Sequence, residues 1–140
     1  MILPDVNVLV SAHRADHPNH DICRTWLNAL VSSGERFCVS PLVLSSTVRI
    51  VTNRKVFFAP SSLREAVNFC NDLLDHPLAL KIHGGDGHWG IFCRLCTTTG
   101  ILGSDISDVW LAALAIEHDC EWVTLDRDFS RFPGLRWRTP

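Results

Sequence analysis

Short apolar runs alternate with longer amphipathic segments along the whole chain. Residues 1–3 form the first apolar run, and Pro4 closes it, which predicts a short strand at the start of the chain. Asp5 then stands at a helix-cap position, and residues 6–12 carry apolar side chains at helical spacing. The chain is therefore predicted to begin with a strand that is followed directly by a helix.

The same order of elements repeats through the rest of the chain. Helices are predicted at 21–31, 41–51, 62–74, 89–98 and 108–116, and strands at 37–39, 78–82, 121–125 and 135–137. The polar residues 13–20 and the basic residues 52–60 are predicted loops. Because strands and helices alternate, we predict one α/β domain over residues 1–140, with a parallel sheet.

Composition limits the class of protein. The chain has 140 residues, of which 46% are hydrophobic and 20% charged, which is typical of a globular domain. No apolar run approaches the ~18 residues of a membrane span and no basic leader is present, so a cytoplasmic protein without membrane contact is expected. The net charge of −2 provides no overall basic field for nucleic acid, so a phosphate-bearing partner must be held locally.

The six cysteines are scattered through apolar segments, which favours buried, reduced thiols over a disulfide framework. Only Cys93 and Cys96 have the spacing of a metal or redox motif, and no second pair of ligands accompanies them. Residues three apart share one face of a helix, so core packing explains this pair equally well. A zinc-binding or redox role stays open as a distant alternative.

Acidic residues stand where predicted strands end and predicted helices begin. Asp5 follows the first strand, Asp108 opens a helix that is apolar on nearly every face, and Asp126 ends the strand after it. In a parallel α/β sheet such positions meet along one edge, where ligand sites lie. We therefore predict that these acids converge.

Two simpler interpretations of the acids remain open. Asp105 and Asp108 are three residues apart at a helix start, so they serve equally well as helix caps. The acids also have basic partners available for ordinary salt bridges, namely Arg14, Arg49, Arg127 and Arg131.

If the acids do converge, they need a counter-charge. Two carboxylates 4 Å apart repel each other by about 4 kcal/mol at an effective dielectric constant of 20. Hard divalent cations prefer oxygen ligands, and Mg²⁺ takes one or two carboxylates directly while it keeps water and substrate phosphate as further ligands. This chemistry suits phosphodiester hydrolysis by a metal-activated water.

The loop at 52–60 combines the cations Arg54 and Lys55 with Phe57 and Phe58. One interpretation is a place where RNA meets cations and aromatic faces, with Arg49 on the preceding helix as a third cation. The other is a connector that Phe57 and Phe58 anchor. Arg49, Arg54 and Lys55 are kept as candidate RNA-binding residues.

Several segments, taken in order, resemble PIN-domain ribonucleases, and specifically the VapC toxins of bacterial toxin-antitoxin pairs. These segments are residues 5–10, 40–44, 108–115, 124–129 and 132–137. The resemblance implies a PIN-like three-layer α/β/α sandwich with a central, mainly parallel sheet. It also implies an endoribonuclease that depends on Mg²⁺ or Mn²⁺, cleaves structured RNA such as tRNA or rRNA, forms a homodimer and is neutralised by a VapB-type antitoxin.

The resemblance also assigns site residues. Asp5, Asp108 and Asp126 match three family acids, which are expected to be catalytic and to bind metal, and Asp128 matches an auxiliary acid. The polar positions beside them are expected to be supporting residues; they are Asn7 and Thr124.

The fourth family acid is a glutamate early in the third helix, and here Ser46 stands at that place. One hypothesis is that Asp105 partly replaces the missing charge and takes part in metal binding. The alternatives are a weakened or inactive PIN domain that only binds its antitoxin, and a PIN ribonuclease of RNA processing.

Overall fold

The computed structural model describes residues 1–140. It has six α-helices, five strands of three residues each and two short 3₁₀ helices at Gly103–Asp105 and Arg127–Arg131. In chain order, the strands and α-helices are β1 (Ile2–Pro4), α1 (Val6–His13), α2 (His20–Ser32), β2 (Phe37–Val39), α3 (Pro41–Val51), α4 (Leu63–Leu74), β3 (Ala79–Lys81), α5 (His88–Thr99), α6 (Ile106–Glu117), β4 (Glu121–Val123) and β5 (Arg136–Arg138).

All strand pairs in the structure are parallel. The strand β4 lies between β1 and β5, β2 pairs with β3, and β1 packs beside β2. Helices cover this central layer, so the predicted three-layer α/β/α sandwich is confirmed. The short strands are flanked by helices in the order that the apolar pattern predicts.

The register between β1 and β4 determines which residues lie side by side just beyond the ends of the two strands. Pro4 lies opposite Val123, and the backbone N–H of Asp5 donates to the Val123 carbonyl at 2.9 Å. The residues that follow the two strands, Asp5 and Thr124, are therefore neighbours. The prediction that helix starts and strand ends meet at one edge holds for this pair.

Helix α6 is apolar on almost every side because it is packed on almost every side. Val109 and Ala112–Ala115 are at most 1% exposed, and the helix contacts both α5 and β4. The small alanine side chains let the helix come close to its neighbours, as expected for a core helix. Neither α6 nor any other helix is long and apolar enough to span a lipid bilayer.

The helix caps are only partly as predicted. Asp5 caps α1, and Ser62 and Glu65 form the predicted capping box of α4. Ser40 stands at the cap position of α3, but its side chain makes no capping hydrogen bond. Asp105 does stand at the N-cap position of α6, and Asp108 lies in its first turn, but neither side chain makes a capping hydrogen bond, so the cap interpretation is right only for the position of Asp105.

All six cysteines are free thiols, as predicted. Four of them are buried in the core, namely Cys23, Cys38, Cys70 and Cys120. The prediction of a buried thiol is wrong for Cys93, which is exposed on α5. Cys96, on the same helix, is half-buried. The two therefore do not share one core contact.

The loop after α3 holds its two phenylalanines differently. Phe57 is partly buried, with the Arg14 guanidinium 4.3 Å from its ring centre, whereas Phe58 is fully exposed. The interpretation of the loop as a connector anchored by both rings is thus wrong for Phe58.

Candidate active site

Asp5 is the most buried acid of the site, with only 4% of its surface exposed. One carboxylate oxygen, Oδ1, accepts a hydrogen bond from the Val6 N–H at 2.6 Å. The other, Oδ2, accepts from Thr124 Oγ1 at 2.6 Å and from Asn7 Nδ2 at 2.9 Å. Three donors therefore fix the orientation of one carboxylate at the junction of β1 and α1.

The surroundings of Asp5 make its charged form costly. The pKa of Asp5 is raised to about 6: burial is the main cause, the neighbouring carboxylates of Asp108 and Asp126 act in the same direction, and the hydrogen bonds from Thr124 and Val6 act in the opposite direction. A cation near this group would remove the cost, because an opposite charge stabilises the ionised carboxylate.

Asn7 and Thr124 connect the start of α1 to the chain after β4. Asn7 Nδ2 donates to Thr124 Oγ1 at 3.0 Å, and Asn7 Oδ1 accepts from the Leu125 N–H at 3.0 Å. Thr124 Oγ1 also accepts from the Asp126 N–H at 3.0 Å. The two polar residues thus hold Asp5 and the backbone of Asp126 in a single hydrogen-bonded unit.

Asp126 caps the 3₁₀ helix at Arg127–Arg131. Its Oδ1 accepts from the Asp128 N–H at 2.8 Å, and its side chain is half-buried. This hydrogen bond leaves the second carboxylate oxygen of Asp126 available to a ligand. The predicted strand end at Asp126 is therefore wrong in position, since β4 ends at Val123, and Asp126 instead orients the turn that begins the 3₁₀ helix.

Asp108 lies in the first turn of α6, and Arg131 contacts it. Arg131 Nη2 donates to Asp108 Oδ2 at 3.1 Å, while Arg131 Nη1 lies 3.8 Å from Asp105 Oδ2. Burial raises the pKa of Asp108, the Arg131 guanidinium lowers it, and the carboxylates of Asp126, Asp105 and Asp128 raise it. Of the four arginines considered as partners of the site acids, only Arg131 forms such an ion pair.

The three acids Asp5, Asp108 and Asp126 line one cavity of about 680 Å³. Asn7, Ser46 and Arg49 also line it, and part of its wall is apolar, formed by residues such as Val10, Ile50, Val56, Phe57, Leu111 and Phe129. The sequence prediction that helix starts and strand ends bring these acids together agrees with this geometry.

Ser46 and Arg49 reach the cavity from α3. They are three residues apart and therefore share one face of that helix. Arg49 forms no ion pair in the structure, so its charge is available to a ligand. The cavity is thus acidic on the side of β1, β4 and α6 and carries a cation and a hydroxyl on the side of α3.

The other predicted site residues lie outside the cavity wall. Thr124 is fully buried behind Asp5, and Asp128 is exposed on the 3₁₀ helix. Asp105 is exposed as well, with 59% of its side chain accessible, and its charged neighbour is Arg131. The remaining two, Arg54 and Lys55, are exposed on the loop whose next residues, Val56 and Phe57, line the cavity.

The donor set fits a hard divalent cation. Four aspartates line the cavity, and Asp16 among them is ion-paired with Arg14. Of the other three, Asp5 is buried with a raised pKa, which is the arrangement that a cation would relieve. No three acidic, histidine or cysteine side chains are close enough to enclose a metal by themselves. Magnesium sites commonly have this character, because the ion retains water and binds few carboxylates directly.

Two features of the site cannot be recognised in the sequence. Among the four arginines that are possible salt-bridge partners, Arg131 contacts two of the acids. Arg14 instead pairs with Asp16 and holds Phe57 at the cavity wall. The ion pairs of Arg131 depend on the conformation of the 3₁₀ helix, and the sequence of such a short helix shows no periodic pattern of apolar residues that would predict it.

Comparisons with known proteins agree with the geometry. A family model described as PIN domain matches residues 2–135. Ribonuclease VapC43 of Mycobacterium tuberculosis is 41% identical over 140 residues, which is 100% of this chain and 95% of the relative. Ribonuclease VapC31 of the same organism is also 41% identical, over 100% of this chain and 99% of the relative.

Solved structures show the same fold at low identity. VapBC2 from Rickettsia felis, bound to a DNA fragment from its promoter, matches with a TM-score of 0.70 at 19% identity, over 99% of this chain and 98% of the other. Mycobacterium tuberculosis VapC20, described as a sarcin-ricin loop cleaving toxin, matches with a TM-score of 0.69 at 17% identity, over 97% and 99%. The chain therefore belongs to the PIN-domain family and, within it, to the VapC ribonucleases.

Proposed function

We propose that this protein is a metal-dependent endoribonuclease and the toxin of a VapBC-type toxin-antitoxin pair. The observation that carries the proposal is the convergence of Asp5, Asp108 and Asp126 on one cavity, with Asp5 buried and its pKa raised. Membership among the VapC ribonucleases supports the same activity.

Asp5, Asp108 and Asp126 are the residues that would hold Mg²⁺ or Mn²⁺. Such an ion, when bound, lowers the pKa of a water molecule and stabilises negative charge on the phosphate oxygens during hydrolysis. Asp128 and Asp105 add negative charge near Asp108 without lining the cavity. We assign to both of them an electrostatic effect on Asp108 rather than direct contact with the metal.

The other residues of the site prepare it for a phosphodiester. Thr124 and Asn7 fix the Asp5 carboxylate, and Thr124 also holds the backbone of Asp126. Arg49, across the cavity, is placed to contact a phosphate of the substrate. Ser46 contributes a hydroxyl where a carboxylate is expected, so the site carries less negative charge than the family pattern.

We propose structured RNA, such as tRNA or rRNA, as the substrate. The likeness to VapC20, which is described as cleaving the sarcin-ricin loop, supports a folded RNA target. Arg54 and Lys55 are exposed on the loop beside the cavity and would contact the RNA backbone. These contacts would supply the local positive charge that the overall net charge of −2 does not.

We also propose a VapB-type antitoxin and a second copy of this chain as partners. The antitoxin is supported by the likeness to VapBC complexes, among them the one from Rickettsia felis. A homodimer is supported by exposed apolar side chains such as Trp89, which is 62% exposed and stacks on Phe92. Light scattering on the purified protein gives the copy number, and the substitution Trp89→Glu tests whether this surface is involved.

The decisive experiment is controlled expression followed by mapping of cleaved RNA ends, with Asp126→Asn as the inactive variant and Arg127→Gln as a neighbouring control. We expect new ends with the native protein and with Arg127→Gln, and none with Asp126→Asn. Cleavage by purified protein should require Mg²⁺ or Mn²⁺. Equal cleavage by the native protein and Asp126→Asn would contradict the proposal.

Ser46 and the Arg131 ion pair favour one alternative, a PIN domain that binds its antitoxin without cleaving RNA. That alternative predicts no RNA cleavage at any metal concentration and no thermal stabilisation by Mg²⁺. A ribonuclease of RNA processing, by contrast, cleaves RNA but lacks an antitoxin gene beside its own.

A further inference from the structure

Phe58 is as exposed as a side chain can be, at 106% of the reference exposure. It is flanked by Phe57, which lines the cavity wall, and follows the two exposed cations Arg54 and Lys55 by a few residues. An exposed phenyl ring contributes nothing to the core, but single exposed apolar residues are common on protein surfaces, so the surroundings of Phe58 decide whether it has a partner.

The loop that presents Phe58 is held in place at both ends. The N–H groups of Val56 and Phe57 each donate to the Asn53 carbonyl at 3.0 Å, and the Asn53 side chain accepts from the Lys55 N–H at 2.9 Å. At the far end, the Ser61 N–H donates to the Val51 carbonyl at 2.9 Å. The phenyl ring therefore projects from a hydrogen-bonded turn.

Arg14 fixes the same loop from behind. Its guanidinium lies 4.3 Å from the Phe57 ring centre and donates to the Ala59 carbonyl at 2.8 Å and to Ser61 Oγ at 3.0 Å. Asp16 holds the guanidinium in turn, at 2.6 Å, and only 11% of the Arg14 side chain is exposed. Contacts on both sides of Phe58 thus hold the backbone from which its ring projects.

The charges around Phe58 indicate the chemistry of its partner. Arg54 and Lys55 form no ion pair in the structure, and neither does Arg49, which lines the cavity. Unpaired cations beside an exposed aromatic ring are the combination that binds single-stranded nucleic acid, since the cations contact phosphates and the ring stacks on a base.

We infer that Phe58 is a stacking platform for one unpaired base of the RNA substrate, next to the phosphate that enters the acidic cavity. The inference rests on the proposed ribonuclease function and adds a binding residue to it. The ring accepts any base by its π face, so Phe58 selects RNA with an unpaired nucleotide at that position rather than a particular base.

The test measures kcat/KM on an RNA oligonucleotide that spans the mapped cleavage site. We expect Phe58→Ala to lower kcat/KM by roughly 5- to 100-fold, mainly through KM, because base stacking is lost. Phe58→Trp should retain the native value, since it keeps a stacking face. Ile22→Ala, which shortens an apolar side chain that is 59% exposed and outside the cavity, is the matched control.

A second series of oligonucleotides, each with one abasic nucleotide, locates the partner base. One abasic position near the cleavage site should lower kcat/KM for the native protein by the same factor as Phe58→Ala. That position should have no further effect in Phe58→Ala, because ring and base are lost together. Thermal unfolding of Phe58→Ala should match that of the native protein, since the ring is fully exposed.

Three outcomes would overturn the inference. Native kcat/KM in Phe58→Ala shows that the ring does not touch RNA. Native kcat/KM together with weaker inhibition by the antitoxin encoded beside this gene shows that the ring binds protein instead. Absence of RNA cleavage by the native protein removes the ribonuclease proposal itself, and is thereby distinguishable from the first two.

Discussion

Arg131 and Asp108 form an ion pair at the edge of the acidic cavity, with Nη2 and Oδ2 3.1 Å apart. The Arg131 guanidinium therefore already acts as the counter-charge of one of the acids, Asp108. A metal ion that uses Asp108 has to share that carboxylate with Arg131 or displace it. The consequences for metal binding can be measured without RNA.

Arg131→Gln should tighten Mg²⁺ binding, because it removes a cation that competes for Asp108. The Mg²⁺ concentration at half-maximal thermal stabilisation should fall by about fivefold, as expected for a partly exposed ion pair worth up to about 1 kcal/mol. Arg127→Gln is the matched control, since Arg127 is exposed in the same 3₁₀ helix and forms no ion pair. An unchanged or higher midpoint in Arg131→Gln would contradict the competition.

Asp105 acts on the site through the same arginine. Because Asp105 lies outside the cavity and 3.8 Å from Arg131, its loss leaves Arg131 more fully engaged with Asp108. Asp105→Asn should therefore weaken RNA cleavage by only about two- to fivefold. The effect should vanish in the Arg131→Gln background, where no competing cation remains.

A direct role of Asp105 as a metal ligand predicts otherwise. It requires a much larger loss of cleavage in Asp105→Asn, and the loss must persist when Arg131 is replaced. The double-mutant cycle of Asp105 and Arg131 therefore distinguishes a role of Asp105 as a metal ligand from an indirect effect of Asp105 through Arg131.

Ser46→Glu should increase activity if the missing carboxylate limits the site. Ser46 lines the cavity, so a glutamate there adds a charged oxygen ligand opposite Asp5 and Asp126. We expect a gain on the order of tenfold in metal affinity or cleavage, a typical size for a group that supports a metal site. Ser45→Glu, with the same charge on an exposed neighbouring position, should give none. Equal activity of the two variants would show that the gap is not catalytic.

The parts of the site that could be predicted from sequence are those set by regular elements. Asp5 and Asp126 follow strands, and parallel strands that pair in register bring their following residues together, as Asp5 and Thr124 show. Arg131 and Asp105 belong to 3₁₀ turns, in which the direction of a side chain depends on contacts that no periodicity encodes.

The adjacent residues Phe57 and Phe58 show the same limit. Both are aromatic residues of one basic loop, and they are indistinguishable by pattern. Their different exposure arises from distant parts of the chain, because Phe57 alone packs against the buried cluster of Val10, Val51 and Ala66 and lies under the Arg14 guanidinium. Tertiary contacts of this kind decide which loop residues face solvent, so the sequence could not separate the two rings.

The stability of the metal-free protein should depend on the charge of Asp5. Its pKa is about 6 in the folded protein and 3.8 as the ordinary value, so the folded state binds the proton more tightly. This group therefore destabilises the fold by about 3 kcal/mol above pH 6, and the penalty declines as the pH falls from about 6 towards 4.

Thermal unfolding between pH 4 and 8 measures this effect. Without metal, the contribution of Asp5 to stability should rise as the pH falls through about 6. Stabilisation by Mg²⁺ should be largest at neutral pH and fade below about 6, because the proton and the ion compete for the same carboxylate. Stabilisation by Mg²⁺ that is independent of pH over this range would show that Asp5 is not a ligand.

Thr124→Val should move that pH dependence in a defined direction. Thr124 Oγ1 donates to Asp5 at 2.6 Å, and this hydrogen bond lowers the pKa of Asp5. Valine has nearly the same shape without the hydroxyl, so the pKa of Asp5 should rise and the pH at which Mg²⁺ stabilisation is half lost should rise with it. The loss should also cost about 1–3 kcal/mol of stability, since the Asp126 N–H loses its acceptor in the same buried region.

Two variants separate this effect from simple damage to the core. Thr124→Ser keeps the hydroxyl and should retain the native pH midpoint, even if the lost methyl group lowers stability. Thr47→Val removes a buried hydroxyl that bonds only within α3, to the Val43 carbonyl, so it should leave the midpoint unchanged. If all three variants had the native midpoint, Thr124 would not control the charge of Asp5. A shift of the midpoint in Thr124→Val alone would show that the Thr124 hydroxyl controls the pKa of Asp5, and through it the pH range in which the cavity binds Mg²⁺.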